Sequence, residues 1–179
     1  MKRCKGETMK FNIYLFLLLL FLNINLTYSQ KPQWLQKMEK IIPLKSTQND
    51  VIKLFGFPSQ SEDNYSPRYG IKEGKLLIRY SQGYCQQNPQ SAFNVTQYTV
   101  IEITFFPKKL LKPNKYGINL KGFKVTPSED VPKAAAYDNN ELGISYFLTS
   151  KGTIESVIFF VPDKYQNLQC PEFGNQNKK

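Results

Sequence analysis

"VIEITFFPKK" fills positions 100–109, and "IESVIFFVPDK" fills positions 154–164. Each is a β-branched and aromatic run that ends in proline, with lysine close behind. Runs of this kind, seven or eight residues long and bounded by turn residues, read as strands. Their recurrence sets the fold. Upstream of the first lie "NYSPRYG" (64–70), a weak edge strand because Pro67 cannot donate to a ladder, and "KLLIRYS" (75–81). In the latter, Leu76, Ile78 and Tyr80 share one face, and Leu77 and Arg79 the other. Upstream of the second lie "KAAAYDN" (133–139) and "GISYFLTS" (143–150). Lys151-Gly152 supplies a tight hairpin turn. Set in step, the halves pair Ile103 with Ile158, Phe105 with Phe160 and Pro107 with Pro162.

Two short helices precede the first set of strands. "KPQWLQKMEKII" places Trp34, Leu35, Met38, Ile41 and Ile42 on one helical face, with Pro32 suited to the first turn. In "PLKSTQNDVIKLFGFP", Ser46 or Thr47 caps a helix striped by Val51, Leu54 and Phe55. Gly56 stands at the left-handed cap position, and Pro58 follows. "TPSEDV" (126–131) echoes "STQNDV", but Pro132 argues against a second full helix there. The predicted fold is α+β: two tandem small modules with antiparallel β-meanders, and two short helices in the first module. The expected boundaries are a signal peptide over 1–29, a first module over 30–107, a lysine-rich connector over 108–121, a second, β-rich module over 122–170 and a flexible tail over 171–179.

At "IPLKSTQNDVIKLFGFPSQ" the chain resembles the small α/β modules of the SmpA/OmlA outer-membrane assembly lipoproteins, and the β-lactamase-inhibitor proteins that carry two such modules in tandem. The residues that carry the resemblance are Thr47, Val51, Phe55, Gly56 and Pro58, and it covers about 65 residues well. Ser46 stands where that family has glycine, and the lipoproteins' anchoring cysteine is absent. The chain as a whole, through a late "FFVPD…LQC", also resembles uncharacterised exported bacterial proteins. That resemblance implies export and no particular activity.

The N-terminus carries the same implication independently. Basic residues at 2–10 are followed by "IYLFLLLLFL" (13–22) and by small residues at Thr27 and Ser29, the pattern of a secretory leader cleaved near Ser29/Gln30. The apolar run meets Asn23 and Asn25 before reaching the roughly 20 residues of a membrane span. Met9 could equally serve as the start, since "MKFNIYLFLLLL" is already a complete leader. A secreted or periplasmic location follows as the expectation.

Of 24 basic and 14 acidic side chains, the leader removes four and one, leaving a net charge of +7. The sequence has no histidine, which excludes Ser-His-Asp and Cys-His nucleophiles and every histidine-containing zinc site. Cys85 and Cys170 remain after the leader, and two cysteines in an exported chain are expected to pair.

Candidate sites are few. No acid falls between Ile103 and Ser128, whereas Lys108, Lys109, Lys112, Lys115, Lys121 and Lys124 do. With Phe106, Leu110, Leu111, Tyr116 and Phe123 interleaved, they form a candidate anion-binding stretch for an acidic glycan or membrane surface, or else a solvated connector. Tyr65, Tyr69, Tyr80 and Tyr146 are candidate protein-binding residues, or ordinary strand residues. Glu62-Asp63 and Glu129-Asp130 fit turns and caps. No catalytic residue, metal site or cofactor is assigned, and nucleic acid is not expected because arginine is scarce. The expectation is an exported non-catalytic protein that binds an unidentified protein partner or serves structurally. The alternatives are an enzyme using carboxylate or Tyr/Lys chemistry, and an anionic glycan or lipid binder.

Overall fold

The computed structural model describes residues 31–61, 63–88 and 90–171, all within one compact unit. The expected leader (1–29), Glu62 and the expected tail beyond Pro171 lie outside the described residues. Helix α1 (Gln33–Met38) starts after Pro32 and buries Trp34, Leu35 and Met38. It ends at Met38, one turn earlier than the apolar spacing suggests. Ile41 still reaches the core, but Ile42 is left exposed. Helix α2 (Gln48–Phe55) is opened by Thr47, whose backbone N–H and hydroxyl both donate to the Asp50 carboxylate at 2.9 Å. Ser46 is not the cap. Gly56 takes φ +81° with an extended ψ of −166°, so it ends the helix without the left-handed turn expected of it.

Seven strands follow among the described residues: β1 (Arg68–Ile71), β2 (Gly74–Tyr80), β3 (Val100–Pro107), β4 (Lys124–Pro127), β5 (Ala135–Asn139), β6 (Ile144–Leu148) and β7 (Ile154–Phe160). Strand β4 was not foreseen. It takes the place of the "TPSEDV" echo, which ends as a turn in which Val131 N–H donates to Ser128 Oγ. The strands form one antiparallel sheet in the order β1-β2-β3-β7-β6-β5-β4. The α+β class and the two meanders agree with the sequence. The meanders, however, are joined through β3 and β7 into a continuous sheet.

The register between them corrects the sequence alignment. Ile103 pairs with Phe159 and Thr104 with Ile158. Paired residues share a face, so Ile103 and Ile158 point to opposite sides, as do Phe105 and Phe160. A one-residue slip in a strand inverts its faces. Both meanders carry a bulge that fixes the true offset: Ile101 is extra opposite Arg79/Tyr80, and Glu155 is extra opposite Phe147/Leu148. Aligning the bulges matches Ile103 with Val157, Phe105 with Phe159, Leu76 with Ile144, Ile78 with Tyr146 and Tyr80 with Leu148. All ten are buried.

One face of the sheet carries the core. Leu76, Ile78, Ile103, Phe105, Val157 and Tyr146 meet Trp34, Leu35, Met38 and Val51 of the helices. The segment after β3 packs against this core. Leu111, Tyr116, Ile118, Leu120 and Phe123 turn inward. Tyr116 ends a 3-10 helix (Pro113–Tyr116), and its ring meets Trp34 edge-on at 5.5 Å. Trp34 in turn lies 4.1 Å from Phe105.

Cys85 and Cys170 are joined, with their Cα atoms 5.6 Å apart. The bond ties the loop after β2 to the C-terminal segment beyond a second 3-10 helix (Asp163–Leu168). Backbone bonds from Cys170 N to Ala92 O (3.0 Å) and Asn94 N to Leu168 O (2.7 Å) run beside it. With 85 positions enclosed, chain-entropy reasoning values the link at about 4 kcal/mol. Replacing both cysteines by serine should lower the thermal midpoint by on the order of 10 °C, measurable by calorimetry. An unchanged midpoint would show that the bond adds nothing to the backbone bonds beside it.

Candidate binding surface

The structure places three of the four candidate tyrosines on the helix-covered side of the sheet, out of reach of a partner. Tyr69, Tyr80 and Tyr146 are at most 5% exposed and belong to the core. Their strand positions alternate with Arg68, Arg79 and Ser145, so the rings follow the helix-covered face. The hydroxyls of Tyr69 and Tyr80 share a hydrogen bond at 3.1 Å. Burial pushes the pKa of all three hydroxyls up, and Glu39 adds to the shift at Tyr146. Only Tyr65 stays near the surface. It stacks on Tyr98 at 5.5 Å and accepts a bond from Gln97 Nε2 at 2.6 Å.

The six candidate lysines are all exposed. The segment bearing most of them is no free connector, because its apolar residues cover the core. Lysine and apolar positions divide the strap between solvent and protein. Lys124 belongs to β4, and Lys108 N–H donates to Glu73 O at 2.8 Å.

Carboxylates serve turns and pairs. Asp63 Oδ1 accepts from the N–H groups of Tyr65 and Ser66, and Glu102 pairs with Arg79 at 3.1 Å across β2 and β3. Glu129 and Asp130 are exposed in the turn after β4. No group of three or more metal-ligating side chains occurs among the described residues.

The face opposite the helices was not singled out from sequence. Leu77 pairs with Thr104, Thr104 with Ile158, and Ile158 with Ser145, a row across four strands. Phe160 opposite Glu102, Phe106 opposite Lys75 and Phe147 opposite Ser156 share this face. Leu77, Phe106, Phe147, Ile158 and Phe160 stand outside the core; Phe106 is 44% exposed and the others are half-buried. Small hydroxyls stand between some of them: Ser145 Oγ donates to Asp138 Oδ1 at 2.6 Å, and Thr104 Oγ1 to Glu102 Oε1 at 3.3 Å. Five apolar side chains on one sheet face form a patch of the kind that marks interaction sites.

No protein-family model and no curated protein matches the chain. Among solved structures it is similar to a DUF4309 family protein (YjgB) from Bacillus subtilis, with 16% identity, a TM-score of 0.46, and coverage of 75% of this chain and 90% of that one.

Raised tyrosine pKa values make stability depend on alkali. Below the ordinary value of 10.0 both folded and unfolded hydroxyls keep their protons. As pH rises above it, the unfolded chain releases protons that the buried hydroxyls retain, so stability falls. Tyr146→Phe should flatten that fall above about pH 10, read as urea midpoints; parallel curves for both proteins would overturn the assignment. The strap predicts a second contrast. Lys109, Lys112 and Lys121 changed together to glutamine should each cost no more than about 0.5 kcal/mol, whereas Tyr116→Ala should cost about 3 kcal/mol by chemical denaturation.

Proposed function

We propose that this chain is a non-catalytic binding module of the cell envelope or extracellular space, and that it holds a protein partner on the sheet face opposite its helices. The observation that carries this reading is the apolar set Leu77, Phe106, Phe147, Ile158 and Phe160, which shares that face and contributes nothing to the core. Export is supported by the leader pattern and by the Cys85–Cys170 bond, since disulfides persist in oxidising compartments. No helix among the described residues is long and apolar enough to cross a membrane. The matched bulges of the two meanders support the tandem-module reading, in which the face is assembled from two related halves.

An enzyme would call for facing carboxylates or a desolvated lysine. Asp50, Asp63 and Glu102 serve a cap, a turn and a surface pair, Asp138 accepts from Ser145 within the sheet, and the described lysines lie at the surface, which supports binding over catalysis.

The test is capture from the native envelope by the mature protein, compared with a Phe147→Ser/Ile158→Ser variant. One protein retained by the wild type and lost by the variant, with both folded by circular dichroism, is the expected result. Equal retention by the two would move the interface elsewhere, and the exposed lysine strap would then be the next surface to substitute.

A further inference from the structure

Three glycines of the sheet and its turns differ in what requires them. At Gly74 an added Cβ would lie 2.2 Å from Phe106 O and 2.6 Å from the Phe105 ring. At Gly143 it would lie 2.3 Å from Phe160 O, on a backbone at φ +66°. Packing or conformation demands glycine at both. Gly70 is different. Its φ lies outside the left-handed region, and a Cβ there would meet only Ser59, with Oγ at 3.7 Å, an ordinary contact. Glycine weakens a strand interior, and close approach of another backbone or of a ligand is a recognised reason for it; the Ser59 segment lies beside Gly70, whose N–H donates to Ser59 Oγ at 3.1 Å, but leaves room for a Cβ.

What the missing side chain leaves is a groove on the face opposite the helices, at the β1 end. It has two adjoining lobes of about 470 Å³ and 550 Å³, which share Gly70, Lys75 and Phe106. Leu77 lines the first lobe together with Arg68; Lys108 lines the second. The described lining thus combines an apolar floor with Lys75 and Lys108; Arg68, also in the lining, has an interaction of its own. No carboxylate among the described residues pairs with Lys75 or Lys108. The outer edge of β1 is already bonded to the Ser59–Gln60 segment, through Arg68 N to Gln60 O at 2.8 Å and Ser59 N to Arg68 O at 2.8 Å. An extended peptide therefore cannot add there as a further strand. The lobes have the size of small-molecule sites, which are mostly apolar with a few placed polar groups.

We propose that this groove binds a single-chain anionic amphiphile, its alkyl chain over Gly70 against Leu77 and Phe106, and its head group on the side of Lys75 and Lys108. The site goes beyond the protein-binding reading and stands without it. It uses the β1 end of the face, whereas Phe147 and Ile158, which test that reading, line neither lobe.

The experiment is calorimetric titration of the mature protein with laurate below its micellar concentration, with dodecyl maltoside and dodecyltrimethylammonium as neutral and cationic controls. Saturable one-to-one binding of laurate is expected, at least tenfold tighter than either control and weakening as salt rises. Gly70→Val, a residue suited to a strand, should abolish it with the fold retained by circular dichroism. Lys75→Gln/Lys108→Gln should weaken it about tenfold and bring laurate level with the neutral control. Phe147→Ser/Ile158→Ser should leave it unchanged. Should Gly70→Val not fold, the lysine pair alone decides. Absence of saturable laurate binding, equal binding of the cationic amphiphile, or binding indifferent to the lysine pair or to a folded Gly70→Val each overturns the site. Attachment to anionic vesicles that survives Gly70→Val would assign the lysines to general surface attraction, and would overturn it as well.

Discussion

Everything in this fold hangs on the pairing of β3 with β7. All other strand neighbours are consecutive in the chain, each strand pairing with the one before or after it in its own meander. Thr104 and Ile158 lie 54 positions apart, and their pairing turns two meanders into one sheet. Closing so long a stretch carries an entropic cost that rises only slowly with length. The offsetting gain is concentrated here: Ile103, Phe105, Val157 and Phe159 lie side by side beneath the helices, nearly removed from water. Both central strands have a bonded neighbour on each side.

Trp34 is where the remaining layers meet. Its ring touches Phe105 of the sheet on one side and Tyr116 of the lysine-bearing strap on the other. Helix α1, the central strand and the strap are thus fixed by one side chain. The strap is long because it must travel from the end of β3 to the outer strand β4 while covering the core. Its apolar residues turn inward over that distance, and its lysines keep the outward side soluble. At the far edge, β4 is exposed along all four residues, begins with Lys124 and ends at Pro127, two features that discourage pairing with another chain.

The two faces of the sheet have different chemistry for a reason visible in the strand pairs. On the covered face, large residues oppose large residues: Ile78 with Ile103, Tyr146 with Val157. On the other, large residues alternate with small hydroxyls, Ile158 between Thr104 and Ser145, so the apolar side chains stand up from the surface and are not closed over. At the β1 end, glycine replaces the hydroxyl and the surface sinks into a groove. An antiparallel sheet can leave one face to solvent, and here that face retains more apolar surface than solvation alone calls for.

The sequence by itself determined the local elements. β-branched and aromatic runs bounded by turn residues placed six of the seven described strands, apolar spacing with Pro32, Thr47 and Gly56 placed both helices, and two cysteines in a chain expected to be exported gave the disulfide. These signals act over a few residues, or follow from counting. The tertiary structure decided register, sidedness and sites. "VIEITFF" and "IESVIFF" are apolar on both faces, so alternation could not say which face turns inward, and unpaired Ile101 and Glu155 shift the count by one without leaving a mark in composition. Tyr69, Tyr80 and Tyr146 carry the same phenol as a surface tyrosine; only the helices above them make them core. The groove depends on Gly70 lying beside Lys75 and Phe106 from two other strands. Gly70 and Lys75 face each other across a short hairpin, but Phe106 is brought to Lys75 by cross-strand pairing from the far end of a long loop, and no short window of sequence contains all three.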